Sequence, residues 1–174
     1  MTVAHDESLA PLWAVLEPLT DPEIPVVSLR ELGILREVRM GSDGQAEVVI
    51  TPTYSGCPAM GQIEDDVRAA IATAGLQARV VTQLSPAWTT DWMTPAAREK
   101  LRAYGIAPPQ CSSAPTGHAN VIRFAPPPCS TQPIACPQCG STRTTETSPF
   151  GSTACKALYR CLDCLEPFDY FKPY

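Results

Sequence analysis

Positive charge is scarce in this sequence and is nowhere concentrated. The 174 residues include 13 Lys and Arg against 18 Asp and Glu, which gives a net charge of −5. Residues 1–110 contain 8 basic and 14 acidic side chains, and residues 111–174 contain 5 and 4. Nucleic-acid binding depends on clustered Lys and Arg side chains that neutralise phosphates. The charge distribution therefore argues against a DNA or RNA partner.

Long apolar runs, glycine-rich nucleotide loops and histidine motifs are also missing. No run approaches the ~18 apolar residues that span a membrane, and the N-terminus lacks the basic region of a signal peptide. The two histidines, His5 and His118, lie outside any motif, and neither a Gly-x-Gly-x-x-Gly nor a P-loop pattern occurs. We therefore expect a soluble, cytoplasmic protein without a Ser/His or Cys/His catalytic system.

Proline and cysteine, by contrast, are abundant. Eight of the 19 prolines fall between Pro108 and Pro137, and this local excess indicates a linker. The apolar share of 44% is typical of a globular protein, and the length suits one full domain with a small second module. We predict a first domain over residues 1–107, a Pro-rich linker over 108–135 and a metal-binding module over 136–174.

Hydrophobic periodicity predicts an α+β fold for the first domain. We predict helices over 9–19, 60–74 and 94–105, and strands over 34–40, 45–51 and 78–84. Thr94 as N-cap and Gly105 as C-cap are expected to bound the last helix. Ser8 is the expected N-cap of the first helix, and Ser28 is expected to cap a short turn of helix that runs through Glu31 and stops at Gly33. The second and third strands should be parallel, because a helix connects them. The order α-β-β-α-β-α predicts a small mixed sheet covered by helices.

Four cysteines near the C-terminus have the spacing of a zinc ribbon. The pattern is Cys136-x2-Cys139, then 21 residues, then Cys161-x2-Cys164. A module of about 40 residues cannot bury enough apolar surface to fold alone, so metal binding should stabilise it. We predict a three-stranded ribbon with a structural zinc. Rubredoxin-like iron or an iron-sulfur cluster is the alternative, because the same four thiolates hold either.

Another cysteine, Cys57, comes directly before the second predicted helix. We expect it at or next to the helix N-cap, where the helix dipole lowers the pKa of a thiol and favours a nucleophile or a soft-metal ligand. The alternative is a buried, inert cysteine at a strand-to-helix corner. Asp21 and Glu23 lie between prolines upstream, and they are either metal ligands or only part of a turn.

The remaining cysteines carry weaker signals. Cys155 lies within the ribbon module, where we expect a small buried side chain; a metal-exchange or redox role is the alternative. Cys111 and Cys129 fall in the predicted linker, and no role is assigned to them.

Several motifs resemble a known family. The segments Asp21-Pro22-Glu23-Ile24-Pro25, Glu31-Leu-Gly-Ile34, Thr51-Pro-Thr-Tyr-Ser-Gly-Cys57-Pro58 and Ser85-Pro-Ala-Trp88 with Trp92-Met93 are similar to the SufT-like iron-sulfur assembly domain. With Cys136-Pro-Gln-Cys-Gly140 and the ribbon segments 148–161 and 166–173, the whole chain resembles the PaaD family of phenylacetate degradation.

The resemblance implies an accessory protein of phenylacetyl-CoA epoxidase, a multicomponent di-iron oxygenase whose reductase needs a [2Fe-2S] centre and flavin. It implies a maturation factor and not an enzyme. Cys57 would be the functional cysteine that transiently handles iron or a cluster, with Asp21 and Glu23 beside it. The implied partners are the oxygenase components, above all the reductase, and a homodimer is compatible with this role. Two other functions stay open: a non-catalytic structural subunit of the oxygenase, and an electron carrier with iron in the four-cysteine site.

Overall fold

The computed structural model describes residues 7–110 and 133–174. The chain divides into two compact units, Met1–Trp88 and Thr89–Tyr174. Most of the predicted linker, with Cys111 and Cys129, lies outside the described residues, and so do both histidines. The domain boundaries at residues 107 and 135 stay a prediction, while the observed units part earlier, after Trp88. In the described ranges, no helix is both long and apolar enough to cross a membrane.

The first unit is a three-stranded sheet with two helices. Its elements in chain order are α1 (Ala10–Leu16), β1 (Leu35–Met40), β2 (Ala46–Ile50), α2 (Met60–Thr73) and β3 (Arg79–Thr82). The sheet order is β1-β2-β3, with β1 antiparallel and β3 parallel to β2. Parallel neighbours require a crossover connection, which α2 supplies. The predicted mixed sheet of an α+β fold is confirmed.

The first helix differs from the prediction in two details. Ser8 is not its N-cap, because Ser8 belongs to a 3-10 turn and Leu9 takes the N-cap position without a side-chain hydrogen bond. The helix ends at Leu16, three residues earlier than predicted. Pro18 explains the early end, because it has no N–H with which to continue the helical hydrogen bonds after Glu17.

The core of the first unit includes apolar side chains from β2 and α2. Its fully or nearly buried members include Val48, Val49, Ile50, Ile63, Val67 and Ile71. The three consecutive β2 residues are all buried, so both faces of this central strand are covered. Each such side chain contributes about 1.5–3 kcal/mol relative to an exposed position. The end of β2 is thereby a rigid base for the loop that follows it.

The second unit is a four-stranded sheet preceded by a helix. Its elements are α3 (Pro95–Tyr104), β4 (Ile106–Ala107), β5 (Thr144–Ser148), β6 (Lys156–Cys161) and β7 (Pro167–Phe171). The sheet order is β4-β7-β6-β5, in which β4 is parallel to β7 and the other pairs are antiparallel. The three predicted ribbon strands are present. The short strand β4, which the sequence pattern does not predict, adds a fourth.

The ends of α3 are as predicted. The Thr94 hydroxyl accepts a hydrogen bond from the Ala97 N–H at 3.1 Å, which caps the first turn. Gly105 ends the helix with a φ of 94°, a left-handed conformation that glycine adopts without steric cost. The chain then turns directly into β4.

Candidate functional site

Cys57 lies in the loop of residues 51–59 that connects β2 to α2. Its N–H donates to the Tyr54 carbonyl at 3.1 Å, which closes a turn. The helix N-cap is Ala59, so Cys57 is two residues upstream of the cap and not at it. The side chain is half-buried. The thiol is thus held by a structured loop and is still reachable from solvent.

The surroundings of Cys57 oppose its ionisation. Burial raises the pKa of the thiol, and the carboxylates of Asp21 and Glu23 raise it further. The Ala59 N–H and the Thr53 hydroxyl bond the sulfur and act in the opposite direction. The expected lowering of the Cys57 pKa is therefore wrong. Burial and two nearby carboxylates outweigh the hydrogen-bond donors close to the helix start.

Asp21 and Glu23 occupy one loop but differ in exposure. Asp21 is buried, and its Oδ1 accepts the N–H groups of Glu23 and Ile24 at 2.8 and 2.9 Å. Its own N–H donates to the Val27 carbonyl at 3.1 Å. Glu23 is exposed. Asp21 therefore shapes the turn, while Glu23 presents its carboxylate to solvent, and both lie close enough to act on Cys57.

Further contacts fix this acidic loop. Thr20 and Ser28 form an isolated antiparallel bridge at its base. The Ser28 N–H donates to Glu31 Oε2 at 2.9 Å and the Glu31 N–H donates to Ser28 Oγ at 3.1 Å, the reciprocal pattern of a capping box. The buried Trp88 indole donates to the Leu32 carbonyl at 3.0 Å. The predicted Ser28 cap is present, although the residues after it form a turn and not a named helix.

Among residues 7–110 and 133–174, one group of side chains is arranged to hold a metal ion, and it consists of Cys136, Cys139, Cys161 and Cys164. Their sulfur atoms all lie within 4.8 Å of one another. The sulfurs of Cys136 and Cys164 are 3.7 Å apart, and those of Cys139 and Cys161 are 3.6 Å apart.

These separations can be compared with known sulfur geometry. A tetrahedral ion with metal–sulfur bonds of about 2.3 Å requires sulfurs about 3.8 Å apart, whereas a disulfide requires about 2.05 Å. The four thiols therefore fit a tetrahedral metal ion and not two disulfides. The four-cysteine group is able to bind a metal.

Each cysteine pair lies on a tight turn that offers N–H groups to the sulfurs. In the second turn, the Asp163 N–H donates to Cys161 Sγ at 3.4 Å. The N–H groups of Cys164 and Asp163 lower the pKa of Cys161 to about 6. At Cys161 the backbone of this turn thus favours a thiolate, the form in which cysteine binds a metal. Burial and the neighbouring thiols raise the pKa of Cys139 and raise that of Cys164 to about 12.

The residue after each pair adopts a left-handed conformation. Gly140 follows the first pair with a φ of 75°, and Leu165 follows the second with a φ of 66°. A left-handed conformation costs a residue with a side chain about 1–2 kcal/mol, whereas glycine adopts it at almost no cost. The Leu165 side chain is also exposed. The two turns therefore reach one shape with very different residues.

Two of the four cysteines belong to the core of the second unit. Cys136 and Cys161 are buried together with Ala107, Ala157, Phe168 and Tyr170, while Cys139 and Cys164 reach the surface.

Cys155 is buried one residue before β6, with its sulfur 3.0 Å from the Thr153 hydroxyl. It has the expected small, buried side chain.

Sequence reasoning gave no role to two threonines of the Cys57 loop. Thr51 and Thr53 are both buried, and Thr53 contacts the Cys57 sulfur. A signal was available, because two threonines directly follow the apolar strand β2 and precede a cysteine. Buried hydroxyls need hydrogen-bond partners, so this position suggests contacts at the end of the strand.

Comparison with known proteins covers both units. Residues 128–172 match the model of the PaaD zinc beta ribbon domain, and residues 10–82 match that of the iron-sulfur cluster assembly proteins. A protein of Escherichia coli that is named as a putative subunit of 1,2-phenylacetyl-CoA epoxidase is 51% identical over 162 residues, which are 92% of this chain and 90% of that protein.

Two further relatives match a shorter part of the chain. A Fe-S protein maturation auxiliary factor of Porphyromonas gingivalis is 34% identical over 50% of this chain and 84% of its own length. The Fe-S protein maturation auxiliary factor YitW of Bacillus subtilis is 33% identical over 52% of this chain and 89% of its own length. The relative named for the epoxidase thus extends over nearly the whole chain, and the two named for maturation match about half.

Proposed function

This chain belongs to the PaaD family, whose Escherichia coli member is named for 1,2-phenylacetyl-CoA epoxidase, and on that premise we propose that it matures an iron-sulfur cluster of the epoxidase system. The observation that carries the proposal is the approach of Cys57 to Asp21 and Glu23 within the region that matches iron-sulfur assembly proteins. In this role the chain is an assembly factor and not an enzyme.

The chemistry of this site suits an iron ion or cluster that passes through it. The carboxylates of Asp21 and Glu23 create a negative potential that attracts a cation and disfavours a free thiolate. When iron arrives, the Cys57 S–H bond breaks, an iron–sulfur bond forms and the proton passes to solvent, with no change in oxidation state. One thiolate binds iron less firmly than four thiolates do. Cys57 is therefore suited to transfer and not to storage.

We assign a different task to the four-cysteine site, which we propose holds a structural zinc. Four thiolates leave no open coordination position, and this donor set is typical of structural zinc. The burial of Cys136 and Cys161 in the core supports the assignment, because bound metal would then stabilise the whole sheet. When bound, the ion supplies folding free energy and no reaction step.

The client is proposed to be the iron-sulfur and flavin reductase of the epoxidase. The relative named for the epoxidase matches 92% of this chain, whereas the two maturation factors match about half. The additional length includes the ribbon, so the ribbon is the part expected to recognise the oxygenase components. We expect this to occur in the cytoplasm, where cysteine thiols stay reduced.

Complementation of a deletion strain tests the proposal. The cluster content of the purified reductase is measured after expression of the wild-type chain, of Cys57→Ser or of Cys155→Ser, a control at a buried cysteine of the second unit. We expect Cys57→Ser to leave the reductase without most of its cluster, and Cys155→Ser to restore it. Full cluster content with Cys57→Ser would refute the mechanism.

The same strains separate the two other functions. A structural subunit would co-purify with the oxygenase in stoichiometric amounts, and epoxidase activity would be independent of residue 57. An electron carrier would be coloured when purified, because iron would occupy the four-cysteine site. The proposed function requires neither result.

A further inference from the structure

Thr51 has an unusual position at the start of the Cys57 loop. It directly follows β2 and is only 2% exposed. A valine would fill the same volume and would continue the apolar run of Val48, Val49 and Ile50. A hydroxyl at such a position must be hydrogen-bonded, since burial of an unpaired polar group is unfavourable. The partner of this hydroxyl indicates what the residue does.

The hydrogen bonds of Thr51 connect three chain segments. Its N–H donates to the Ile34 carbonyl, just before β1, at 2.9 Å. Its side-chain hydroxyl donates to the Gln83 carbonyl, just after β3, at 2.7 Å. The Gln83 N–H in turn donates to the Ile50 carbonyl at 2.8 Å. Thr51 is therefore fixed on both sides where the loop leaves the sheet.

This fixation reaches Cys57 through a short path. Thr53 follows two residues later and is also buried, and its hydroxyl is near enough to the Cys57 thiol to lower the pKa. The turn closed by Cys57 and Tyr54 comes next. Because these contacts follow one another directly along the loop, movement at its root would move the thiol.

We propose that Thr51 is a positioning residue for Cys57, and that its hydroxyl holds the root of the Cys57 loop against the end of β3. The functional meaning of this inference rests on the proposed role of Cys57 in cluster maturation. The geometric part can be tested without it, because the reactivity of the thiol reports its position.

The test measures the alkylation rate of Cys57 by iodoacetamide in the full-length, metal-loaded protein, followed on the peptide that contains it. Thr51→Val removes the hydroxyl and keeps the volume, and Thr51→Ser keeps the hydroxyl. We expect about fivefold faster alkylation for Thr51→Val, the factor that corresponds to one lost hydrogen bond of about 1 kcal/mol. Thr51→Ser should react within about twofold of the wild type, since its hydrogen bond is retained.

Thr144→Val is the matched control. The Thr144 hydroxyl donates to the Ile134 carbonyl, also at 2.7 Å, but it does so in the second unit. This variant should leave the Cys57 rate unchanged. An unchanged rate in Thr51→Val, or equally fast reaction in Thr51→Ser, would overturn the proposal. If Thr51→Val fails to fold, Thr51→Ala, which also removes the hydroxyl, replaces it in the comparison with Thr51→Ser.

Complementation distinguishes the failure of this inference from failure of the proposed function. Thr51→Val should lower the cluster content of the reductase, and Thr51→Ser should restore it. If Cys57→Ser itself supports full cluster content, the proposed function fails while the alkylation rates still decide whether Thr51 positions the thiol. If Cys57→Ser abolishes maturation and Thr51→Val does not reduce it, Thr51 has no role in maturation, and the alkylation rates alone decide whether it positions the thiol.

Discussion

Two cysteine sites in this chain differ in how their surroundings treat negative charge. At the four-cysteine site, N–H groups of the turns point at sulfur and lower the pKa of Cys161 to about 6. At Cys57, burial and the carboxylates of Asp21 and Glu23 raise the thiol pKa. Backbone N–H groups therefore favour one thiolate of the four-cysteine site, although the pKa values of Cys139 and Cys164 are raised, whereas no thiolate is favoured at Cys57.

This difference suggests a division of labour between the two units. A site with four converging thiols, two of which are buried in a core, is suited to keep its metal. A half-buried thiol beside carboxylates becomes a thiolate only while a bound cation offsets the repulsion between the thiolate and the carboxylates. Retention and transfer are thus assigned to different units, and the following predictions test this contrast.

Removal of metal should produce the largest effect, and it should be confined to one unit. Structural zinc contributes about 10–16 kcal/mol to small metal-dependent modules, far more than the ribbon can supply by burial alone. After chelation we expect amide hydrogen exchange in β5, β6 and β7 to lose its protection. Exchange in α2 and β2 should stay as it was. Equal loss of protection in both units would contradict the division.

The second prediction concerns the pH dependence of Cys57. Because its pKa is raised in the folded chain, the thiol stays protonated to a higher pH than an ordinary cysteine, whose pKa is about 8.5. Its contribution to stability is complete below that value and is lost as the pH rises above it. The pH at which the alkylation rate of Cys57 reaches half of its maximum, its alkylation midpoint, should therefore lie above about 8.5.

Glu23→Gln tests the cause of this shift. It removes one nearby carboxylate without changing the volume of the side chain, so the alkylation midpoint should move down. Glu37→Gln, at an exposed site on β1, serves as the control and should leave the midpoint in place. A midpoint of Cys57 at or below that of a free cysteine would mean that the thiol is not in the environment described.

The smallest expected effects compare the two metal-binding turns. No atom lies within 4 Å of a Cβ added at Gly140, so Gly140→Ala tests backbone conformation alone and should cost about 1–2 kcal/mol. Leu165→Gly should change stability by less than about 1 kcal/mol. Glycine removes the steric cost of the left-handed conformation, and this gain offsets the larger conformational entropy that glycine gives to the unfolded chain. Chemical denaturation of the metal-loaded protein measures both. A larger cost for Leu165→Gly would show that the exposed side chain stabilises the turn.

Local patterns were enough to predict most elements of the fold. The spacing of β-branched residues located β1, β2 and β3, and Thr94 with Gly105 located both ends of α3. The cysteine spacing identified the ribbon, because a Cys-x-x-Cys turn is a local structure. In each case the physical cause lies within a few residues of the feature.

Features that depend on distant residues were missed. The direction of the Cys57 pKa shift depends on Asp21 and Glu23, and their approach to the thiol is a result of tertiary structure. The strand β4 has only two residues, too few for a periodic pattern, and it forms because β7 offers it a partner. The role of Thr51 likewise depends on a carbonyl 32 residues away.

Metal analysis with an absorption spectrum would test whether the ribbon retains a metal while Cys57 handles iron or a cluster. The wild-type chain and Cys57→Ser are purified without oxygen, and each is exposed to ferrous iron and sulfide. We expect one zinc per chain in both proteins, and iron-dependent visible absorption in the wild type alone. Zinc loss in Cys57→Ser, or an iron chromophore that survives this substitution, would contradict it.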